Sequence, residues 1–144
     1  IVQDYRYDYL CVEPKIVWAP SVFFEAEYKA TVSCVGGGIG EDTRLDPLWE
    51  VAQRLTLSLE FHDTEFCLSG EHFYNDLSKN QHLNTWLADV SLIHKAGKWR
   101  FAASAINLFN KEQYRYTLYS AVQSYTSWIK LRPREFMVSV QYQW

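Results

Sequence analysis

The sequence lacks a hydrophobic run long enough to cross a membrane as a helix. Such a helix needs roughly 18 to 20 consecutive apolar residues, and no stretch of the 144 residues approaches that length. Cysteine is also scarce. Cys11, Cys34 and Cys67 are too few and too uneven in number for a disulfide framework, and none stands in a C-x-x-C pair. The composition therefore argues against a helical membrane protein and a disulfide scaffold, and leaves the redox compartment undecided.

Positive charge is in short supply as well. The chain has 14 Lys and Arg against 17 Asp and Glu, a formal net charge of -3. Binding of nucleic acid phosphates needs a basic face, and no Lys/Arg cluster precedes Lys130, Arg132 and Arg134. We therefore expect no nucleic acid partner.

Aromatic residues, in contrast, make up 17% of the chain, and the dominant pattern is an alternation of apolar and polar residues. Alternation places successive side chains on opposite faces of a β-strand. It is clearest in 22–33, 49–61 and 136–144 and weaker elsewhere. The predicted strands cover 5–17, 22–33, 49–61, 65–74, 84–95, 98–109 and 136–144. The pattern thus predicts an all-β, antiparallel fold of about seven strands, each with one apolar and one polar face.

The predicted connections alternate between short and long. Tight turns are predicted at 19–21, 62–64 and 96–98, and long loops at 36–47, 75–83 and 110–127. Short turns on one side and long loops on the other are typical of outer-membrane β-barrels, and so are two girdles of aromatic rings. The candidate girdles are Trp18, Phe61, Phe66, Trp99, Tyr142 and Trp144 at the short turns, and Trp49, Tyr74, Phe109 and Trp128 at the long loops. Because a half-buried soluble sheet alternates in the same way, the loops, the girdles and the terminal aromatic are what favour a transmembrane barrel.

The carboxy-terminal part contains a more specific pattern. Asn107-Leu108-Phe109-Asn110 is followed by Tyr114, then by Leu131-Arg132-Pro133-Arg134, and then by the alternating strand that ends at Trp144. This order resembles the carboxy-terminal end of TonB-dependent outer-membrane receptors, in particular the β-barrel families of Bacteroidetes that include the starch-utilisation type. The resemblance covers 86–144, and upstream only the strand pattern is shared. The family usually ends in Phe where this chain has Trp144.

The resemblance implies a nutrient transporter in the cell outer membrane, with residues 1–144 forming the carboxy-terminal part of its barrel. The plug domain, the TonB-interacting box and the earlier strands are absent from this sequence. The implied partners are outer-membrane lipid or lipopolysaccharide, the barrel-assembly machinery and, through parts outside this chain, TonB and a surface lipoprotein. The last strand is implied to be the signal that the assembly machinery reads. Its residues would be Phe136, Val138, Val140, Tyr142 and Trp144.

Further chain before Ile1 is expected on this interpretation. Bacterial single-chain barrels have even strand numbers from eight upward, so about seven strands do not close a barrel. The start at Ile1 also has no initiator Met and no signal-peptide pattern. We therefore interpret the sequence as a fragment or a processed chain.

Charged residues on the polar strand faces are candidates for lining a hydrated lumen. They are Glu25, Glu27, Lys29, Arg54, Glu60 and Asp89. Glu25 and Glu27 lie two apart on one face and could pair for acid and base chemistry, but a lining of mixed sign fits solvent and weak ligand contacts better. We predict no enzymatic activity.

No metal or cofactor is predicted either. The four histidines, His62, His72, His82 and His94, have no metal-ligand spacing such as H-x3-H. The glycine run at 36–40 lacks the Lys-Ser/Thr of a phosphate-binding loop and is predicted to be a flexible loop.

Lys130, Arg132 and Arg134 have the same predicted outward parity as Trp128 and Phe136. If roughly nine to eleven residues span the hydrocarbon, these cations lie above it, near anionic headgroups. We therefore predict that they contact lipopolysaccharide phosphates.

Two alternatives to a large transporter barrel stay open. One is a complete eight-stranded outer-membrane barrel of structural or adhesion type, in which 110–127 supplies a strand through Tyr114, Tyr116 and Leu118. The other is a soluble β-sandwich or lipocalin-like binding module with its apolar face inward. The transported substrate, the full barrel size and the oligomeric state are not predicted.

Overall fold

The computed structural model describes residues 5–39, 43–78, 81–119 and 124–144. Within these ranges the chain forms β-strands and connections, and none of its segments is a helix able to cross a membrane. The strands are β1 (Tyr5–Val12), β2 (Lys15–Ser21), β3 (Phe24–Ile39), β4 (Thr43–Phe61), β5 (Thr64–Ser78), β6 (Gln81–Ala96), β7 (Trp99–Ile106), β8 (Gln113–Tyr119), β9 (Ser124–Lys130) and β10 (Glu135–Tyr142). The predicted all-β, antiparallel class is confirmed.

Eight of these strands form one antiparallel sheet in the order β1-β3-β4-β5-β6-β7-β10, with β2 also paired to β3. β2 pairs with the first half of β3 and β1 with its second half, so the two together form one edge. Pro14, which has no N–H to donate, lies between them, and its carbonyl accepts a hydrogen bond from the Ala30 N–H at 3.0 Å. Within the described ranges no strand covers the outer edge of β1 and β2 or of β10, so the sheet is open.

The long strands extend well beyond the predicted alternation. β3 reaches Ile39 and β4 begins at Thr43, and β5 reaches Ser78 before β6 begins at Gln81. The predicted long loops at 36–47 and 75–83 are therefore wrong over most of their length, and 40–42 and 79–80 lie outside the described residues. Ladder pairing continues there without alternation, across a register shift in each hairpin. The shift between Val35 and Gly37 lies beside Pro47, which cannot donate to the ladder.

Three two-residue turns connect β2 to β3, β4 to β5 and β6 to β7. The turns at 62–63 and 97–98 agree with the prediction, whereas the first lies at 22–23 because β2 continues to Ser21 through a register shift. His62 and Gly97 have φ values of 52° and 60°. Such left-handed values give tight hairpins a twist that matches the strands.

Part of the predicted loop at 110–127 is a second, smaller sheet. β8 pairs with β9, and we call this pair the side ribbon; residues 120–123 lie outside the described structure. β7 and β10 pair directly with each other. β8 is therefore not inserted into the large sheet, as the eight-stranded alternative with Tyr114, Tyr116 and Leu118 required.

The two faces of the large sheet differ as the alternation predicted. Successive cross-strand partners define face A by Phe24, Leu59, Phe66, Leu92, Ala103 and Val138. The next row defines face B by Glu25, Ser58, Cys67, Ser91, Ser104 and Met137. Among the described residues, Ala30 and Ala105 are the buried hydrophobic ones, and no side chain is fully buried. The described sheet is thus a single layer, without the covered core of a β-sandwich.

Gly37 provides a test of the β1 edge. A Cβ atom at Gly37 would collide with the carbonyl oxygen of Arg6 in β1, whereas a Cβ atom at Gly36 would meet nothing within 4 Å. We expect Gly37→Ala to displace β1 at a cost of about 1 to 3 kcal/mol and to accelerate amide hydrogen exchange in β1. Gly36→Ala is the matched control and should leave that exchange unchanged; equal effects would contradict the register.

Candidate functional site

The six charged residues predicted to line a lumen all lie on face B. Glu25, Glu27 and Lys29 are on β3, Arg54 and Glu60 on β4, and Asp89 on β6. The same face carries Lys15, Glu65, Glu71 and Lys95. Sequence reasoning missed these four because they lie at strand ends or, for Glu71, between Gly70 and His72, where apolar alternation is interrupted.

Ion pairs within and between strands neutralise much of the charge on face B. Glu27 forms an ion pair with Lys15 at 2.9 Å and another with Lys29. Arg54 forms an ion pair with Glu71 of the next strand. The basic side chains are more than half or about half exposed, so water screens these pairs. Glu27 is held between two cations, which fits a hydrated lining better than a pair of acid–base carboxylates with Glu25.

Asn107 holds the point where the chain leaves the large sheet for the side ribbon. It is 5% exposed. Its side-chain Nδ2 donates hydrogen bonds to the carbonyls of Lys111 and Arg132, both at 2.8 Å, and its Oδ1 accepts one from the Lys111 N–H at 2.9 Å. Its backbone N–H donates to Asp89 Oδ1 at 2.7 Å. One side chain therefore joins the end of β7, the start of the side ribbon and the segment that returns from it.

Asn110 closes the same junction from its other side. Its N–H donates to the Asn107 carbonyl at 2.8 Å, and its Oδ1 accepts a hydrogen bond from the Arg134 N–H at 3.0 Å. Asn107 and Asn110 have φ values of 53° and 51°, the left-handed region that Asn adopts more readily than most residues. We call these contacts the asparagine clamp. It joins the two parts of the motif, 107–110 and 131–134, on which the resemblance to receptors depends.

A cavity of about 250 Å³ lies on face B beside the asparagine clamp. Its wall includes Glu71, Leu87, Asp89, Ile106, Leu131 and Arg132. The first three come from β5 and β6, whereas Leu131 and Arg132 come from the segment that returns from the side ribbon. The cavity therefore depends on the asparagine clamp for one of its walls.

Lys130, Arg132 and Arg134 do not lie on one continuous strand with Phe136, as was predicted. Lys130 ends β9, which belongs to a different sheet from β10, and the other two lie in the irregular segment 131–134. Alternation therefore does not run continuously into β10. All three side chains are exposed, but Arg132 lines the cavity on face B. Contact of all three cations with lipid phosphates stays a prediction, but it no longer rests on parity.

The residues predicted as the assembly signal form an exposed apolar row. Phe136, Val138, Val140 and Tyr142 lie on face A of β10, opposite Ala105, Ala103, Phe101 and Trp99 of β7. Phe136 is 72% and Val138 80% exposed, and Trp144, which follows the strand, is fully exposed. Face A therefore reaches the edge of the sheet without any covering layer in the described structure.

One polar chain interrupts face A. The Tyr28 hydroxyl donates to Gln53 Oε1 at 2.8 Å, and Gln53 Nε2 lies 3.1 Å from His72 Nδ1. The other ring nitrogen of His72 lies 2.9 Å from Asn84 Oδ1, and the ring stacks on Trp86. These groups satisfy one another across four strands, as buried or lipid-facing polar groups must. Within the described ranges no group of His, Cys, Asp and Glu residues is arranged to hold a metal ion.

In comparisons with protein-family models, curated proteins and solved structures, nothing matches this chain. Its function must therefore be inferred from its two faces, its aromatic rows and its cavity.

Proposed function

We propose that this chain is part of the wall of a transmembrane β-barrel in the cell outer membrane. Face A contacts lipid, and face B lines a hydrated lumen. The observation that carries the proposal is a single-layer sheet whose apolar face is uncovered in the described structure and bordered by aromatic rings. A soluble protein rarely exposes so large an apolar surface, whereas a barrel in lipid requires one.

Two rows of aromatic side chains border face A. The row near the short turns consists of Trp18, Phe24, Phe61, Phe66, Trp99 and Tyr142. The predicted member Trp144 follows β10, and its ring centroid lies 5.7 Å from that of Tyr142. The opposite row consists of Trp49, Tyr74, Trp86 and Phe136. Trp128 and Phe109, predicted for that row, belong instead to β9 and to the turn after β7, and Trp86 and Phe136 take their places. Such paired rows fit the two interfaces of a bilayer.

Both rows cross the sheet diagonally. Phe24 is connected through successive cross-strand pairs to Val138 of β10, but the aromatic residue there is Tyr142, four residues further along. In the opposite row, Tyr74 pairs with Val51 and Asn84, and the neighbouring rings are two residues away from these partners, at Trp49 and Trp86. Both displacements have the same direction.

Strand tilt accounts for this displacement. Transmembrane strands tilt by about 35 to 45°, and strands lie about 4.8 Å apart with a rise of about 3.3 Å per residue. A membrane plane must then move by about one to one and a half residues along each successive strand. The first row moves by four residues over five strand steps, about 0.8 residues per strand, and the second moves by two residues per strand. The two rows thus bracket the value for tilted strands, whereas an untilted sheet would place them at right angles to the strands.

The finer assignment, a TonB-dependent nutrient transporter, is supported by the motif at 107–110 and 131–134. The asparagine clamp gives that motif a structural role, since it anchors the side ribbon to the barrel wall. The open edges agree with a larger barrel, because unpaired backbone groups are costly in lipid and would need further strands beside β10 and beside β1 and β2. On this proposal, the row from Phe136 to Tyr142 on β10 faces lipid and serves in assembly.

Residues 67 and 68 allow a matched test, because Cys67 lies on face B and Leu68 on face A of the same strand. The background is Cys11→Ser with Cys34→Ser, and an environment-sensitive NBD label is attached at either position in protein reconstituted into lipid vesicles. We expect the label on Leu68→Cys, made with Cys67→Ser, to emit at shorter wavelength and to be quenched by doxyl-labelled lipid. The label on Cys67 should emit as in water and resist quenching.

The same experiment separates the alternatives. A soluble binding module would remain in the aqueous phase without detergent, and neither label would be quenched. Quenching of both labels, or of Cys67 alone, would show that the assignment of the two faces is incorrect.

A further inference from the structure

Asp89 and Arg132 line the same cavity on face B without pairing with each other. Asp89 accepts the Asn107 N–H through Oδ1 and is also one of the residues that line the cavity. Arg132 contributes its backbone carbonyl to the asparagine clamp, and its guanidinium is in none of the ion pairs formed among the described residues. A carboxylate and a guanidinium therefore border the same cavity without forming an ion pair with each other.

The remaining charges at this cavity are already neutralised. Glu71 is paired with Arg54. The net balance of the wall is thus one cation and one carboxylate, held apart by the two elements that carry them, β6 and the segment that returns from the side ribbon. A ligand with one positive and one negative charge would form an ion pair with each of these two groups without adding net charge to the site.

The rest of the wall is apolar. Leu87 comes from β6, Ile106 from the end of β7, and Leu131 from the returning segment. At about 250 Å³, the cavity lies below the roughly 300 to 1,000 Å³ of pockets for drug-sized ligands. It therefore suits a small molecule with one apolar substituent.

We propose that this cavity binds a free apolar α-amino acid. The ligand's ammonium group contacts Asp89, its carboxylate contacts the Arg132 guanidinium, and its side chain packs against Leu87, Ile106 and Leu131. A guanidinium is well suited to the carboxylate because it presents two parallel N–H donors. This inference depends on the cavity alone and goes beyond the assignment of face A to lipid.

The first part of the test compares phenylalanine with two derivatives, each of which lacks one of its two charged groups. The three molecules are L-phenylalanine, L-phenylalaninamide, which lacks the carboxylate, and N-acetyl-L-phenylalanine, which lacks the ammonium group. Binding to the full chain, folded in detergent micelles, is measured by saturation-transfer NMR titration. We expect L-phenylalanine to bind and each derivative to bind about tenfold more weakly, because each loses one charge-assisted contact.

The second part removes the matching charges from the protein. Arg132→Gln should abolish the preference for phenylalanine over its amide and keep the preference over the N-acetyl form. Asp89→Asn should abolish the preference over the N-acetyl form and keep the preference over the amide. The Oδ1 of the introduced asparagine can still accept the Asn107 N–H, so this contact of the asparagine clamp is retained. Arg134→Gln is the matched control, since Arg134 lies in the same segment, is exposed and does not line the cavity.

Absence of phenylalanine binding at millimolar concentration would overturn the inference, as would equal binding of the three ligands. So would an equal effect of Arg134→Gln and Arg132→Gln. The lipid-quenching experiment at residues 67 and 68 involves no ligand. Failure of binding with quenching intact therefore rejects the amino acid site alone, and failure of quenching with binding intact rejects the membrane assignment alone.

Discussion

Replacement of Asn107 by alanine is expected to lower the free energy of unfolding by about 2 to 5 kcal/mol. The change removes three side-chain hydrogen bonds, to the Lys111 carbonyl, the Lys111 N–H and the Arg132 carbonyl. Each is worth about 0.5 to 1.5 kcal/mol, and more where a buried partner is left unsatisfied. Alanine also tolerates the left-handed φ of 53° less well than asparagine does.

Two variants separate the hydrogen bonds from the backbone conformation. Asn107→Gly relieves the left-handed conformation but restores no side-chain hydrogen bond, so it should recover only a minor part of the loss. Asn110→Ala is the matched control, because Asn110 has nearly the same φ but is exposed and accepts one hydrogen bond, from the Arg134 N–H. Its expected cost is about 1 to 2 kcal/mol.

Urea unfolding of the protein in vesicles gives these free energies, and limited proteolysis reports the side ribbon separately. We expect Asn107→Ala to expose 111–131 to protease before the large sheet unfolds, since the asparagine clamp holds both ends of this segment, which contains the side ribbon. An equal loss of unfolding free energy in Asn110→Ala and Asn107→Ala would contradict the claim that Asn107 is the main residue of the asparagine clamp.

Replacement of Leu55 by arginine is expected to cost about 2 to 4 kcal/mol in a bilayer. Leu55 lies on face A of β4, about midway between the aromatic residues Trp49 and Phe61. On the proposed arrangement a guanidinium there would face hydrocarbon, beside its cross-strand partners Tyr28 and Gly70. The side chain is 44% exposed in the described chain, so the cost would come from lipid and not from a protein core.

Thr56→Arg is the matched control, because Thr56 is the adjacent residue and lies on face B, opposite Glu27. We expect its effect to be near zero, since water and a carboxylate surround the new charge. Val51→Arg, nearer to the row of Trp49, should fall between the two because the cost decreases toward the interface. Unfolding in urea from vesicles measures the series. Equal costs at residues 55 and 56 would refute the lipid-facing assignment.

The alternation in 22–33 and 49–61 was sufficient to predict both strands and their faces, because side chains on a strand point to opposite sides with a period of two. The strand extensions were not predictable in this way. Gly36, Gly37 and Gly38 carry no side chain to alternate, yet all three pair with β1, and Gly37 and Gly38 also pair with β4 beyond a register shift. Backbone pairing depends on the neighbouring strands, whereas alternation in the sequence appears only where one face of a strand is apolar and the other polar.

The candidate site shows the same division. Glu25, Glu27 and Lys29 could be placed on one face from their spacing, but the partners Lys15 and Glu71 lie on other strands and depend on register. Arg132 was predicted to point outward because alternation was extended across 128–136. The irregular segment 131–134 breaks that continuity and brings Arg132 to the cavity.

By itself, the sequence determined the antiparallel all-β class, the apolar and polar faces and most of the tight turns, since these follow from local periodicity and turn chemistry. Only the tertiary structure decided that the sheet is a single open layer, that β8 and β9 leave it, and that Asn107 joins the two parts of the carboxy-terminal motif. The diagonal course of the aromatic rows also required it. These features depend on which distant strands pair and in what register, and a one-residue change in register would reverse every face.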